Sequence, residues 1–421
     1  MIFLCKKRGS SFCPAYSMGK EMSRMQLERK YQIIQWQILF GSIVTFANLY
    51  CFQALLPLLV QEFSITPAQA SLTVSIPTLV LAFCLLLMAV VSDTYGRKKI
   101  MGISLVGTAM MNGFIIISPN YETLILVRAI QGVLLAGFPA IAMTYLHEEI
   151  DAKHIAKLLA VYISGSGIGG FIGRMITSAI TDYYSWKLAI GVMGFISFVF
   201  ACFFIKKLPA SNHFVKKKFS IQQVGVGMKE ALLNKQLFPI YVIAFLLLGS
   251  FSTIFNYLGF PLSEGPFFLG LTAIGMFFIF QLTGTFGSFM AGRLVEKYSR
   301  VIIIIVGVVV ASIGAFFTSS TSLLLFMIGL FFIGVGFFAS HSLASGWVGI
   351  LAPTSIRAYA SSYYLLFYYL GSSVMGTVGG TILVKFEWQG VVSFVIVGFL
   401  VVAALAYYVY YLLKKELLTN Y

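Results

Sequence analysis

The chain has 421 residues, 59% hydrophobic and 10% charged, with a mean hydropathy of +0.91; soluble domains carry about 25% charged residues. This is the composition of a membrane protein and leaves no room for a sizeable soluble domain. The formal net charge of +15 would suggest nucleic acid in a soluble protein, but here it is first weighed against the rule that Lys and Arg collect in cytoplasmic loops.

Residues 1–35 carry Lys6, Lys7, Arg8, Lys20, Arg24, Arg29 and Lys30, with no apolar run long enough for a signal-peptide core, and read as a cytoplasmic tail. Met18, Met22 and Met25 raise an alternative start that would leave residues 1–17 outside the native protein. The five cysteines, Cys5, Cys13, Cys51, Cys84 and Cys202, are scattered and odd in number, so neither a disulfide framework nor a metal site is implied.

Twelve apolar runs follow, at about 36–60, 71–92, 100–117, 123–146, 155–180, 187–205, 237–260, 267–291, 301–317, 322–346, 359–384 and 388–413. Each is long enough for a helix to cross a hydrocarbon core about 30 Å thick and too long for a barrel strand. The fold class is therefore all-α integral membrane, with twelve spans.

With the N-terminus inside, 25 Lys and Arg fall on the cytoplasmic side and only Lys187 and Lys385 outside, while Arg128 and Arg174 lie within spans. That asymmetry places both termini in the cytoplasm and accounts for the net charge without nucleic acid. The basic linker 206–236 divides the chain into a first half, 36–205, and a second half, 237–413, ahead of a short tail, 414–421. Within the linker, Ile221 to Leu233 has the pattern of a short amphipathic helix or of a solvated basic segment.

The halves repeat. Asp93, Tyr95 and Arg97 after the second run align with Glu296, Tyr298 and Arg300 after the eighth, at an offset of 203. Tyr162, Gly165, Ser166, Gly170 and Gly173 in the fifth run align with Tyr368, Gly371, Ser372, Gly376 and Gly379 in the eleventh, at 206. Parallel six-span repeats with a substrate site between them near the midplane are a known transporter plan.

Over about residues 36–413 these features resemble the major facilitator superfamily. Asp93, Gly96, Arg97 and Lys98 match that family's G-x-L-x-D-R-x-G-R-K motif, with Ala89 and Thr94 departing from it. In the second half Gly292, Leu294, Glu296, Lys297 and Arg300 match, with Ser299 in place of the second Gly. Arg128, Gln131 and Gly132 look like its R-x-x-Q-G motif.

Gly165, Gly169, Gly170 and Gly173 resemble the glycine-rich antiporter motif, with Gly170 at the Pro position and Arg174 at the last Gly. Asn256 and Tyr257 are similar to a group of bacterial drug and arabinose efflux permeases near the bicyclomycin and chloramphenicol exporters. The resemblance implies a proton-coupled exporter, with a role in drug resistance.

Gly96 supplies a turn conformation costly for other residues. By family analogy Asp93 would meet the N-terminus of the eleventh span, and Arg97 would reach Glu148 or Glu149, forming an inner gate with Gly292, Glu296 and Arg300 as its echo. Lys98 and Lys99 need no role beyond topology.

Arg128 and Arg174, charged at membrane depth, are functional candidates unless Arg128 snorkels to the surface. His341 could relay protons or be hydrogen-bonded structure. Asn48, Tyr50, Gln53, Phe251, Asn256, Tyr257, Gln281, Tyr368 and Tyr369 would line a mostly apolar cavity with a few orienting groups.

Glycines spaced by four suit close helix packing or bending, including Gly165, Gly167 and Gly170, which match a dinucleotide-binding pattern by spacing alone. No carboxylate falls at the midplane, so proton coupling would use Glu62, Glu122, Asp182 or His341.

No metal-ligand cluster, nucleophile with a base, or cofactor signature stands out, so neither an enzyme nor a cofactor is expected. The leading expectation is a monomeric secondary transporter that exports a small organic molecule through the lipid bilayer in exchange for protons. The alternatives are uptake or facilitated diffusion of a sugar or organic anion, and a membrane sensor that binds without transporting.

Overall fold

A computed structural model describes residues 14–209, 211 and 221–419. The basic residues Lys6, Lys7 and Arg8 of the tail, Lys216 to Lys218 of the linker and the alternative-start question at residues 1–13 lie outside the described residues. All regular structure among the described residues is helical.

The helices run in order as α1 (Pro14–Tyr50), α2 (Leu56–Phe63), α3 (Pro67–Tyr95), α4 (Arg97–Ile116), α5 (Tyr121–Glu149), α6 (Ala152–Tyr183), α7 (Trp186–Lys207) and α8 (Ile221–Leu233). They continue as α9 (Leu237–Tyr257), α10 (Gly259–Ser263), α11 (Leu271–Phe277), α12 (Gly284–Leu294), α13 (Arg300–Phe317), α14 (Leu323–Leu351) and α15 (Arg357–Thr419).

Eleven helical stretches among the described residues are long and apolar enough to cross a membrane. The last, 59 residues long, would reach about 90 Å as one straight helix. It breaks at Glu387 (φ 55°, ψ −162°) and so makes two crossings. The fold is the twelve-span, all-helical plan.

Helix starts follow local chemistry. Thr66 and Gln69 form a capping box at α3, and Asn120, Ser185 and Ser299 accept the backbone N–H three residues on at α5, α7 and α13. Gly96 at φ 97° separates α3 from α4 with a single residue, a conformation that L side chains resist.

The first helix begins well before its apolar run, because the basic segment from Pro14 continues it without a break. Its Lys30 and Tyr31 bind Glu149 (3.2 Å), the last residue of α5, and Asp151 (2.8 Å) just beyond it. The segment Ile221–Leu233 is helix α8; Ala231 is fully buried and its carbonyl accepts from Tyr241, so α8 seats on the second half.

Two apolar cores lie within residues 34–208, and a third, larger one takes residues 231–409 plus Ala54. Between these bodies α3 packs on α15 and α6 packs on α11. The offset of 203 extends through the fold: α2 starts at Leu56 and α10 at Gly259, α4 at Arg97 and α13 at Arg300.

The eighth span is interrupted. It reads α11, then a 3-10 stretch Phe278–Thr283, then α12. The tighter turn brings Phe278 against Arg174 on α6, with 4.7 Å from guanidinium carbon to ring centre.

Candidate functional site

The two arginines within spans have different surroundings. Arg128 of α5 is fully buried; Nε donates to the Thr73 carbonyl, Nη1 to the Asn48 carbonyl and Gln131, and Nη2 to the Leu49 carbonyl. The Asn48 and Leu49 carbonyls are near to hand because α1 stops at Tyr50 and gives way to a 3-10 turn, and that of Thr73 within α3 is left free because Pro77, four residues on, has no N–H to donate. Arg128 therefore does not snorkel.

Gln131 carries the network on to the Thr108 carbonyl and Asn112, and Asn112 to Asn48, which also donates to Ser197 (2.7 Å). Asn48, Arg128 and Gln131 sit inside the first half, at 0% exposure, and do not line a cavity between halves. Asn112 belongs to this network too. An Asn within an apolar run was the signal that could have found it.

Arg174 of α6 lies at the junction. Its Nε donates to Gln53 Oε1 at 2.6 Å, and Gln53 Nε2 donates to Asn256 Oδ1 of α9 at 2.5 Å. The guanidinium carbon lies over the rings of Tyr50 (4.5 Å) and Phe278 (4.7 Å). Beside Asn256, the Tyr257 hydroxyl donates to the Gly376 carbonyl at 2.6 Å.

Tyr50 lies near Tyr368 and Tyr369 of α15. Tyr368 stacks on His341 at 4.4 Å, and the Tyr364 hydroxyl meets His341 Nδ1 at 3.0 Å. Phe337 and Phe251 extend this aromatic wall, 4.1 Å apart. Gln281 lies half-buried in the 3-10 stretch, apart from that hydrogen-bonded chain.

Further contacts join the halves toward one end. Asp182 accepts from the backbone N–H of Leu271 and Thr272 and from the Thr272 hydroxyl (2.6 Å), and Ser373 donates to the Ser75 carbonyl (2.8 Å). Ser178 faces Gly275 so closely that a Cβ there would overlap its hydroxyl.

At the opposite end Arg97 binds Glu148 (2.8 and 3.2 Å), Asp93 and Ser92, all within the first half. Asp93 thus pairs with the Arg one turn on, and not with the start of α15. In the second half, Glu296 and Gly292 are exposed, and neither Glu296 nor Arg300 has an ion pair among the described residues. The echo lacks the tight turn because α12 ends at Leu294, well short of α13, so its charges are not drawn together.

The glycine stripe packs. A Cβ at Gly165 would stand 2.8 Å from Ser42 Cβ, at Gly169 2.6 Å from the Ile43 carbonyl oxygen, and at Gly173 2.5 Å from that of Ala47, all on α1. Gly371 presses on the Phe245 backbone, Gly379 on Thr253 and Tyr257, and Gly376 on Asn256. Gly170 faces Arg174 instead. A cavity of about 670 Å³ bordered by Lys98, Lys99, Ile103 and Met110 lies on α4, away from the junction.

With that geometry in view, a family model described as Major Facilitator Superfamily matches residues 38–373 and 262–419. The chain belongs to the major facilitator superfamily. It is 39% identical over 351 residues to an MFS-type transporter, YybF, of Bacillus subtilis (strain 168), covering 83% of this chain and 87% of that one. It is 37% identical over 355 residues to the inner membrane transport protein YnfM of Escherichia coli (strain K12), covering 84% and 85%.

Among solved structures the facilitator fold is matched by the nucleoside transporter NupG, with a TM-score of 0.75 at 16% identity over 89% of this chain and 99% of that one. A bacterial homologue of the lysosomal transporter Spinster matches with a TM-score of 0.75 at 12% identity, over 90% and 97%. The chain is a multi-pass membrane transporter of the facilitator type.

Proposed function

We propose that this transporter exports a small organic solute across the cytoplasmic membrane by alternating access, in exchange for protons, as a monomer with both termini in the cytoplasm. The observation that carries alternating access is the uneven seam. Asp182 with Thr272, Ser75 with Ser373, and Gln53 with Asn256 join the halves from the midplane to one end, while at the other end Asp93 and Glu148 pair with Arg97 of their own half.

With 25 Lys and Arg assigned to the Asp93 side, that end faces the cytoplasm, and the described arrangement is closed outward. The Asp93 cluster is then part of the inner gate. The name of the Escherichia coli relative supports placement in an inner membrane. Export is supported by the glycine-rich stripe of α6 and its resemblance to the efflux permeases.

The second reading is uptake or facilitated diffusion of an organic anion, favoured by one observation. All 14 carboxylates lie at helix ends, in loops or in tails, so no acid at the midplane serves as a proton carrier. A sensor without flux is the remaining alternative. Everted vesicles energised by respiration separate the three: uptake of a panel of fluorescent organic solutes, abolished by nigericin, is expected. Transport indifferent to the pH gradient rejects proton exchange, and absence of any flux rejects transport.

A further inference from the structure

We infer that the solute is an organic monoanion whose carboxylate binds the open edge of Arg174, an assignment that rests on the transporter reading above and deepens it.

Arg174 is 2% exposed and uses only its Nε donor, on Gln53. Neither Nη1 nor Nη2 has a hydrogen-bond partner among the described residues, and no carboxylate forms an ion pair with it. Arg128, at comparable burial, spends Nε, Nη1 and Nη2 on four acceptors. Arg128 thus has every guanidinium nitrogen bonded, whereas Arg174 is held by Nε alone.

The way it is held defines the ligand. Tyr50 and Phe278 take up the guanidinium and Gln53 fixes Nε, so the Nη1 and Nη2 edge is what remains. Two parallel N–H donors in one plane match the two oxygens of a carboxylate.

The neighbouring Asn256 accepts from Gln53 through Oδ1, and its Nδ2 also has no partner among the described residues. The nitrogens left over on Arg174 and Asn256 are donors, so the missing component is an acceptor. One open guanidinium neutralises one charge, and a dianion would carry its second charge unpaired into the membrane interior.

The body of the solute follows from the wall. Tyr50, Tyr368, Tyr369 and His341 are partly exposed, and Tyr368 and His341 are stacked 4.4 Å apart. This surface takes a flat apolar group beside the carboxylate.

The test uses purified full-length protein and thermal unfolding in the presence of benzoate, phenylacetate and 3-phenylpropanoate, each paired with its neutral amide. At least one acid is expected to raise the midpoint saturably while its amide does not. Arg174→Gln should weaken that response at least tenfold and Arg174→Lys should keep part of it.

If Arg174→Gln does not fold, the acid and amide pairs on the unaltered protein decide, together with Gln53→Glu, which places a carboxylate beside the guanidinium and should abolish the acid response. Amides acting as well as acids, no response to any acid, or an acid response that survives Arg174→Gln overturns the inference. Binding in detergent needs no gradient, so carboxylate binding without pH-driven flux strikes the export reading alone, and flux without carboxylate binding strikes this inference alone.

Discussion

Arg174 and Gln53 meet at 2.6 Å, Nε donating to Oε1, and the same glutamine reaches across to Asn256 on the other half. Removing the glutamine leaves a buried cation with less support. Gln53→Leu is expected to lower unfolding stability by about 1–3 kcal/mol, whereas Gln53→Glu should hold or raise it by supplying a counter-charge. Thermal unfolding of the two purified variants checks the difference in sign.

Arg128 makes a contrasting case. Its fork is filled by three backbone carbonyls and Gln131, a geometry an ammonium cannot reproduce. Arg128→Lys should therefore unfold at a lower temperature than Arg174→Lys, with a cost on the order of 3 kcal/mol. Equal midpoints for the two variants would reject the division of labour between these residues.

Asp182 ties α6 to the first residues of α11 through three hydrogen bonds. Asp182→Ala should weaken closure at that end by about 1–2 kcal/mol. Read as thiol labelling of Ser178→Cys in a cysteine-free background, this is a roughly five- to thirtyfold faster reaction. An unchanged rate would remove Asp182 from the seam that opens.

The glycines predict unequal costs. Gly173→Ala would push a methyl to 2.5 Å from the Ala47 carbonyl oxygen, while nothing lies within 4 Å of a Cβ at Gly292. The first should cost about 1–3 kcal/mol and the second stay within about 0.5 kcal/mol of the parent. Unfolding midpoints of the two alanine variants decide.

Asp93 and Glu148 flank Arg97 at the edge of the first half, with side chains 32% and 24% exposed. A pair so close to solvent contributes little to folding, about 0.2–1 kcal/mol. Asp93→Asn should leave the unfolding midpoint nearly unchanged while cutting flux about tenfold. Normal flux would reduce the turn to a topology signal.

The spans were legible in the sequence because unpaired backbone cannot sit in lipid, so apolar runs of this length have one economical solution. Their breaks were less so. The 3-10 stretch Phe278–Thr283 lies in an unbroken apolar run, and only packing against α6 reveals it.

Of the site, both arginines stood out as charges at depth, but nothing in their spacing told which one was sealed. Two of the carbonyls that seal Arg128, those of Asn48 and Leu49, are freed where α1 ends, a backbone event without a side-chain marker, while the third, that of Thr73, is freed by Pro77 four residues on. The second-half echo matched in letters, yet Ser299 caps a helix where Gly96 turns one, and the charges of Glu296 and Arg300 stay apart.

Gln53 and Asn256 are 203 positions apart, the same offset that aligns Asp93 with Glu296 and α4 with α13. Two equivalent positions of a duplicated body can touch only on the axis that relates the copies. If the halves trade tilts during turnover, contacts off that axis, such as Asp182 with Thr272, must part, whereas a contact on it is carried onto itself. Gln53 and Asn256 would then act as a fulcrum, keeping the guanidinium of Arg174 beside the solute whichever side is open.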